Sequence, residues 1–367
     1  MNKTILLIGF ILVMTCFTLK GQVGIAFKID TTKQKNLSLR NFVINYMKKD
    51  TINNEFWHPK YKNSEAYDYN IDWIWNEYTP KKLSEKCNIE IIELQQINDS
   101  LAYFKLQISN KPNKNEEPFT NIYKYYIVEL AGKYYMDNCK DYDSKKFAYY
   151  KTKNIGFYTS CFYKINKQKM ENASKSIDSL YSTLKVKKSK KAIDYFMCAS
   201  EEELNNLANI VVWNGGLSGF TNIPEGYVVG INDNPNYKHE FIHAILGYGA
   251  NCFFLQEGIA TLYGGTDKGK ISYKKGLIEL KECYKKGDCN FDNLYTREVG
   301  SKYSSNLTYT FAATFCKYII DNFGFDLFYK LYYDKNVSST NFIEKLTNST
   351  GKDKETLIKE VEKMILN

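Results

Sequence analysis

His239-Glu240-Phe241-Ile242-His243 places two of the chain's three histidines four residues apart, and Glu257 follows inside Phe253-Phe254-Leu255-Gln256-Glu257-Gly258-Ile259-Ala260. On a helix, positions i and i+4 share a face, so both imidazoles can reach one cation from the same side. Glu240, one step round from His239, then lies beside that cation, where a base acting on an activated water must stand. Zinc catalysis keeps three protein ligands and leaves one position for water, so a third ligand is needed. Glu257 is the candidate, because an acidic residue among large apolar neighbours needs a partner. The plainer alternative is an ordinary helical face for the histidines and a solvated glutamate at 257.

The flanking residues predict the elements that hold this set. Asn234-Pro235 reads as a helix start, a capping side chain followed by proline at the first helical position. Phe241, Ile242, Ile245 and Leu246 make the helix apolar enough for a core, and Gly247 and Gly249 offer its stop. A turn through residues 247–252 then returns the chain antiparallel into a second apolar helix, ended by Gly264-Gly265, which can carry Glu257 back over the histidines. The segment 226–231 just before the motif reads as a short strand.

HEFIH followed by FLQEGIA resembles the gluzincin branch of zinc metallopeptidases, in the compact bacterial form described as peptidase-MA-like. The stretch from Tyr309 through Phe315 and Tyr318 to Asn322-Phe323-Gly324 resembles the helix found downstream of the metal motif in that family. Together the similar parts span roughly residues 190–335. The resemblance implies His239, His243 and Glu257 as ligands of one zinc ion and Glu240 as general base. It also implies Tyr309 as a donor to the oxyanion; a packing role for Tyr309 is the equal alternative, and Tyr303 is another candidate for the donor. By the same resemblance, strand 226–231 is either the cleft edge that pairs with extended substrate or an internal strand. Ser218 and His58 complete no serine triad, and no phosphate-cradling glycine loop is visible.

Near the start of the chain Lys3 precedes an apolar-to-neutral run from Ile5 to Leu19, which Lys20-Gly21-Gln22 ends. This reads as a secretory signal peptide, too short for a span of about 20 residues. Residues 13–16 make a poor lipoprotein box, so a secreted or periplasmic location is expected over an uncleaved anchor, with no stable membrane insertion after processing. Loss of residues 1–22 lowers the formal charge from +9 to +7. The lysines are scattered rather than striped, and the run Lys187-Lys188-Ser189-Lys190-Lys191 reads as a solvated linker, so nucleic acid is not an expected partner. Eight cysteines remain, an even number, and Cys283 with Cys289 is the pair expected to close a small loop.

The expected fold class is α+β. A small antiparallel α+β domain, residues 23–150, resembles cystatin- or NTF2-like modules in its pattern of strands. It precedes a zincin-like catalytic domain, residues 151–367, with a small mixed sheet, the metal-binding helix and then a helical half. Expected elements include a helix near 39–48, strands at 89–94, 101–108, 123–130 and 133–136, and a helix over 167–184 capped by Asn166. The function expected is zinc-dependent hydrolysis of peptide bonds in a peptide or protein substrate. Three alternatives stay open: a catalytically silent binding protein on the same fold, a recognition protein acting through residues 23–150, and a metal-dependent hydrolase of non-peptide substrates.

Overall fold

The computed structural model of the chain describes residues 23–25, 29–51, 54–61, 80–111, 119–212, 218–223, 225–247, 249–266, 269–298 and 306–367. The expected signal peptide, the glycine-rich stretch 213–217 and Tyr303 lie outside the described residues. The fold is mixed α+β and divides into two units, one of residues 1–146 and 200–217, the other of residues 147–199 and 218–367.

The first unit opens with β1 (Gly24–Ile25), α1 (Gln34–Met47) and α2 (Pro80–Lys86), followed by β2 (Cys87–Asn98), β3 (Leu101–Asn110), β4 (Thr120–Leu130), β5 (Lys133–Asp137) and α3 (Lys140–Asp143). The sheet runs in the order β1-β2-β3-β4-β5. It departs from the antiparallel expectation at one edge, where β1 pairs parallel with β2. Strict alternation along β3 buries Ala102, Phe104, Leu106 and Ile108 on one face, the period-2 signal of a half-buried strand. Leu39, Val43, Tyr46 and Met47 of α1 are buried, and Trp57 joins the two layers, meeting Tyr46 and Tyr125 edge-on. Ala131 and Gly132, both at positive φ, turn β4 into β5, as a two-residue hairpin of right-handed twist requires.

The chain then builds the second unit with β6 (Ala148–Lys151), β7 (Ile155–Thr159), α4 (Lys167–Thr183) and β8 (Ile193–Cys198). Asn166 caps α4 as expected, accepting from the backbone N–H of Lys169 at 3.0 Å. Next come α5 (Glu201–Leu207) and β9 (Ile210–Val212), which belong to the first unit, so the boundary is not the single cut near residue 150 that the sequence suggests. The physical reason is specific. β9 pairs with β4, and Asn209, at φ 60, accepts the Cys139 N–H at 2.6 Å and donates to the Asn138 side chain at 2.8 Å.

Back in the second unit follow β10 (Gly219–Asn222), β11 (Tyr227–Ile231), α6 (Lys238–Leu246), α7 (Phe253–Gly264), α8 (Tyr273–Lys286), α9 (Phe291–Thr296), α10 (Asn306–Tyr332), α11 (Phe342–Thr350) and α12 (Lys354–Leu366). The sheet order is β10-β11-β8-β7-β6. β11, β8 and β7 are parallel, and antiparallel strands flank them at both edges. A small mixed sheet followed by a helical half is thus observed. Strand β11 is internal, and the edge beside α6 is β10. Gly324, at φ 80, breaks α10 at the end of the stretch from Tyr309 to Asn322-Phe323-Gly324 that the sequence marks out as one helix. Cys283 and Cys289 form the expected pair, with Cα atoms 5.5 Å apart. Among the described residues no helix is long and apolar enough to cross a membrane.

Candidate metal centre

Helix α6 is anchored through its apolar side. Phe241 and Ile242 are fully buried, and the Phe241 ring meets Tyr195 of β8 edge-on at 5.3 Å. Its start differs from expectation. Asn234-Pro235 does not open the helix, which begins at Lys238 after Tyr237. The Asn232 side chain accepts from the N–H of Asn234, and the Asn234 side chain accepts from the N–H of Asn236. These successive side-chain-to-backbone turns offer the chain an alternative to helix, and here they win over the capping propensity. The stop is as expected: Gly247, at φ 69, returns its N–H to the His243 carbonyl.

Helix α7 comes back along α6 because two glycines allow it. A Cβ at Gly264 would lie 2.5 Å from the backbone nitrogen of His239, and one at Gly258 would lie 2.5 Å from the Ala312 carbonyl oxygen of α10. Contacts that short are not accommodated without movement, so both helix neighbours of α7 approach at distances that only glycine permits. Phe254 fixes the rotation of α7, stacking on Tyr295 at 4.6 Å and Phe342 at 5.5 Å.

The result brings together the three residues that the sequence singled out as ligands. His239, His243 and Glu257 each offer a ligand atom within 4.8 Å of the other two. His239 Nε2 is 3.1 Å from one Glu257 oxygen and His243 Nε2 is 3.6 Å from the other. Ligand atoms around a tetrahedral zinc stand about 3.3 Å apart, so the separations suit such an ion. The tautomer supports the same reading. His239 Nδ1 is 2.8 Å from the Gly265 carbonyl oxygen, which can only accept, so Nδ1 donates and Nε2 keeps its lone pair. A lone pair facing a carboxylate needs a cation between them, a proton or a metal. Gly265 is also the group that orients this imidazole, a role for which the sequence offers no acid, Thr261 standing four residues after Glu257. Its φ of 78 turns the carbonyl back toward α6.

The electrostatics follow from this packing. Burial pulls the His243 imidazole down, but Glu257, assisted by Glu240, more than reverses it and raises the pKa to about 9. Burial pushes the Glu257 carboxyl up, yet the two imidazoles hold it well below the usual carboxylate range. Each is the signature of a carboxylate locked to nitrogen bases.

Glu240 is buried beside this set and outside it. Thr221 Oγ1, on the edge strand β10, lies 2.6 Å from Glu240 Oε2 and 3.0 Å from its backbone carbonyl oxygen. The carboxylate is therefore aimed by the edge strand. Sequence reasoning missed Thr221; the signal available was a hairpin, with Gly226 at φ 73 and its N–H bonded to the Asn222 carbonyl. Tyr309 of α10 is placed at the site, its ring 6.2 Å from that of His239 and 5.2 Å from that of Phe253. Burial first, then the carboxylates of Glu257 and Glu240, push its phenol up to about 12, so it is a hydrogen-bond donor at neutral pH.

Comparison with known proteins adds nothing to this geometry: no family model, no curated protein and no solved structure matches the chain.

Proposed function

We propose that this chain is a zinc-dependent peptidase of the gluzincin type, with the second unit as a zincin-like catalytic domain. The observation that carries the reading is the convergence of Glu257 on both imidazoles from a separate helix, with Glu240 next to them but engaged with Thr221 instead. Two imidazoles and one carboxylate are the donor set of catalytic zinc, which keeps a fourth position open. An ion held there supplies Lewis acidity, acidifying a water and polarising a carbonyl.

The chain's own groups divide the remaining work. Glu240 takes the proton of the attacking water and passes it to the leaving amine, a transfer that requires a carboxylate held in one orientation. Thr221 provides that orientation. Tyr309, protonated and packed beside His239, donates to the oxygen that gains charge as the carbonyl becomes tetrahedral. Gly265 holds His239 in the tautomer that presents Nε2.

We further place the protein outside the cytoplasm, as secreted or periplasmic. Residues 1–22 support this through their charge and apolar run, and the Cys283–Cys289 pair supports it because disulfides persist in oxidising compartments.

The test is digestion of a diverse peptide pool by protein beginning at Val23, loaded with zinc, with Glu240→Gln run beside it. Cleavage by the wild type, slowed about 100- to 10,000-fold in Glu240→Gln at equal zinc content, is the expected result. Tyr309→Phe should slow it about 100-fold with zinc retained. Cleavage that persists in Glu240→Gln, or none by the wild type, overturns the reading.

A further inference from the structure

Of the 50 lysines and arginines in the chain, only Arg40 and Arg297 are arginines, and Arg297 stands beside the candidate metal centre. Its guanidinium carbon lies over the Phe253 ring, 5.0 Å from the centroid. Phe253 is the first residue of α7, four positions before Glu257, and so shares the helix face that carries the metal-facing carboxylate. The same Phe253 ring touches Tyr309, whose ring touches His239. Arg297 thus connects to the ligand set through two aromatic side chains.

Three features separate it from an ordinary surface cation. Its backbone is left-handed, at φ 63, closing α9 with its N–H on the carbonyls of Asn293 and Leu294. That slot favours glycine, so a long side chain there is held at a conformational cost. Such positions gather at functional sites. Next, contact with Phe253 occupies the face of the guanidinium and none of its five N–H donors. Among the described residues no carboxylate pairs with those donors, and the side chain is exposed. Finally, the centre already holds Glu240 and Glu257, so an incoming carboxylate needs a cation supplied from elsewhere on the site's wall.

Resting on the peptidase reading above, we propose that Arg297 is the receptor for a substrate carboxylate and makes the site selective for peptides that present one near the scissile bond. The short run of contacts from His239 through Tyr309 and Phe253 to Arg297 keeps the guanidinium within a few residues of the metal along an extended peptide, which advances about 3.5 Å per residue. Either a C-terminal carboxylate or an Asp or Glu side chain offers the two oxygens that an arginine fork engages.

The experiment uses a mixed peptide pool made twice, with free C-terminal carboxylates and as C-terminal amides. A second pair of amidated pools carries either Glu or Gln at matched positions. Retention on immobilised, zinc-loaded Glu240→Gln protein is read by mass spectrometry, and wild-type cleavage of the same pools is measured in parallel. The expected result is a preference of about ten- to a hundredfold for the carboxylate member of at least one pair. A free-acid preference identifies the C-terminus as the source, and a Glu-over-Gln preference identifies the side chain. The preference should collapse in Arg297→Gln, survive in part in Arg297→Lys, and collapse equally in Arg297→Gly, which relieves the left-handed backbone and guards against a folding artefact. Equal retention of both members, or a preference that Arg297→Gln leaves intact, overturns the proposal. Arg297-dependent retention without wild-type cleavage keeps the carboxylate receptor and removes the peptidase, whereas cleavage without preference does the reverse.

Discussion

Asp137, buried in the first unit, and Glu257, half-buried in the second, are carboxylates held among close partners, and the groups around them differ in kind. Asp137 is 1 % exposed and meets the Lys60 ammonium, the hydroxyls of Tyr61 and Tyr142, and the N–H of Asn138. Every one of these is a donor with a proton of its own. Glu257 meets two imidazoles, which satisfy a carboxylate only after taking up a proton or sharing a metal with it. The first cluster completes itself from the chain, whereas the second needs a proton or a metal ion to complete it and could hold either. The contrast separates a structural polar core from a candidate binding centre: both hold a carboxylate, the Asp137 side chain 2 % exposed and that of Glu257 26 %, and the protonation chemistry of the partners tells them apart.

The comparison breaks most visibly by deleting each carboxylate. Asp137→Ala takes the acceptor from the hydroxyls of Tyr61 and Tyr142 and from the Asn138 N–H, while Lys60 keeps Asp141, and should lower stability by about 2–3 kcal/mol in urea unfolding, with zinc affinity unaltered. Glu257→Gln should lose zinc affinity by more than the roughly 100-fold that a missing outer partner costs, measured by competition with a chromophoric chelator. If Asp137→Ala is no less stable than wild type, its cluster is not the self-completed core described. A smaller effect comes from the metal itself. Zinc at a hundred times its dissociation constant should add about 2.7 kcal/mol. Hydrogen exchange should show that gain as slower exchange in α6 and α7, with β2 to β5 unaffected. Equal slowing of both sets would remove the distinction between the two clusters.

What the sequence disclosed follows from how local each signal is. His239, Glu240 and His243 lie within one helical turn or so, so the histidine pair and its neighbouring glutamate could be read from spacing, and the acidic Glu257 in an apolar run pointed to a third member of the group. The strands β2 to β5 were equally legible, because alternation such as Ala102, Phe104, Leu106 and Ile108 needs only neighbouring residues. The unread parts depend on contacts between distant segments. Thr221 reaches Glu240 only after β10 has paired with β11. Asn209 returns residues 200–217 to the first unit through hydrogen bonds to Asn138 and Cys139, about seventy residues earlier in the chain. Arg297 meets Phe253 only when α9 packs near the start of α7. The helix start at Asn234 was misread for a different reason: a true local propensity lost to competing turns by Asn232 and Asn234. Helix α9 escaped notice because its capping box is closed by Asn293 rather than an acid or glutamine.

Glycine substitutions sharpen the contrast at intermediate size. Gly264→Ala presses a methyl group onto the His239 backbone, and should cost about 1–3 kcal/mol while also weakening zinc binding. Gly132→Ala, at φ 76 with open space around it, should cost about 1–2 kcal/mol from its left-handed backbone alone and leave zinc binding as it was. Chemical denaturation and metal titration of the two proteins distinguish these outcomes, and an unchanged zinc affinity in Gly264→Ala would mean that α6 yields without moving its ligands.

The smallest expected effect tests whether the second cluster is preorganised or merely assembled. In the first unit Asp137 draws on several donors at once, from Lys60, Tyr61, Asn138 and Tyr142. In the second, Glu240 depends on one hydroxyl, Thr221 Oγ1, 2.6 Å away on an edge strand. Valine has the shape of threonine without the hydroxyl, so Thr221→Val removes its contacts with the Glu240 carboxylate and with the Glu240 backbone carbonyl. A bond to a charged acceptor is worth about 1.5–3 kcal/mol when buried. This one is part-buried, so a fall in kcat of roughly tenfold is expected, with KM and zinc content unchanged and Thr221→Ser restoring the rate. That split matters, because a loss appearing in kcat alone belongs to an interaction made in the transition state, whereas a merely structural role would move zinc affinity or stability as well. If kcat is unaltered, Glu240 holds its orientation without the edge strand, and its place on α6 is sufficient to aim it.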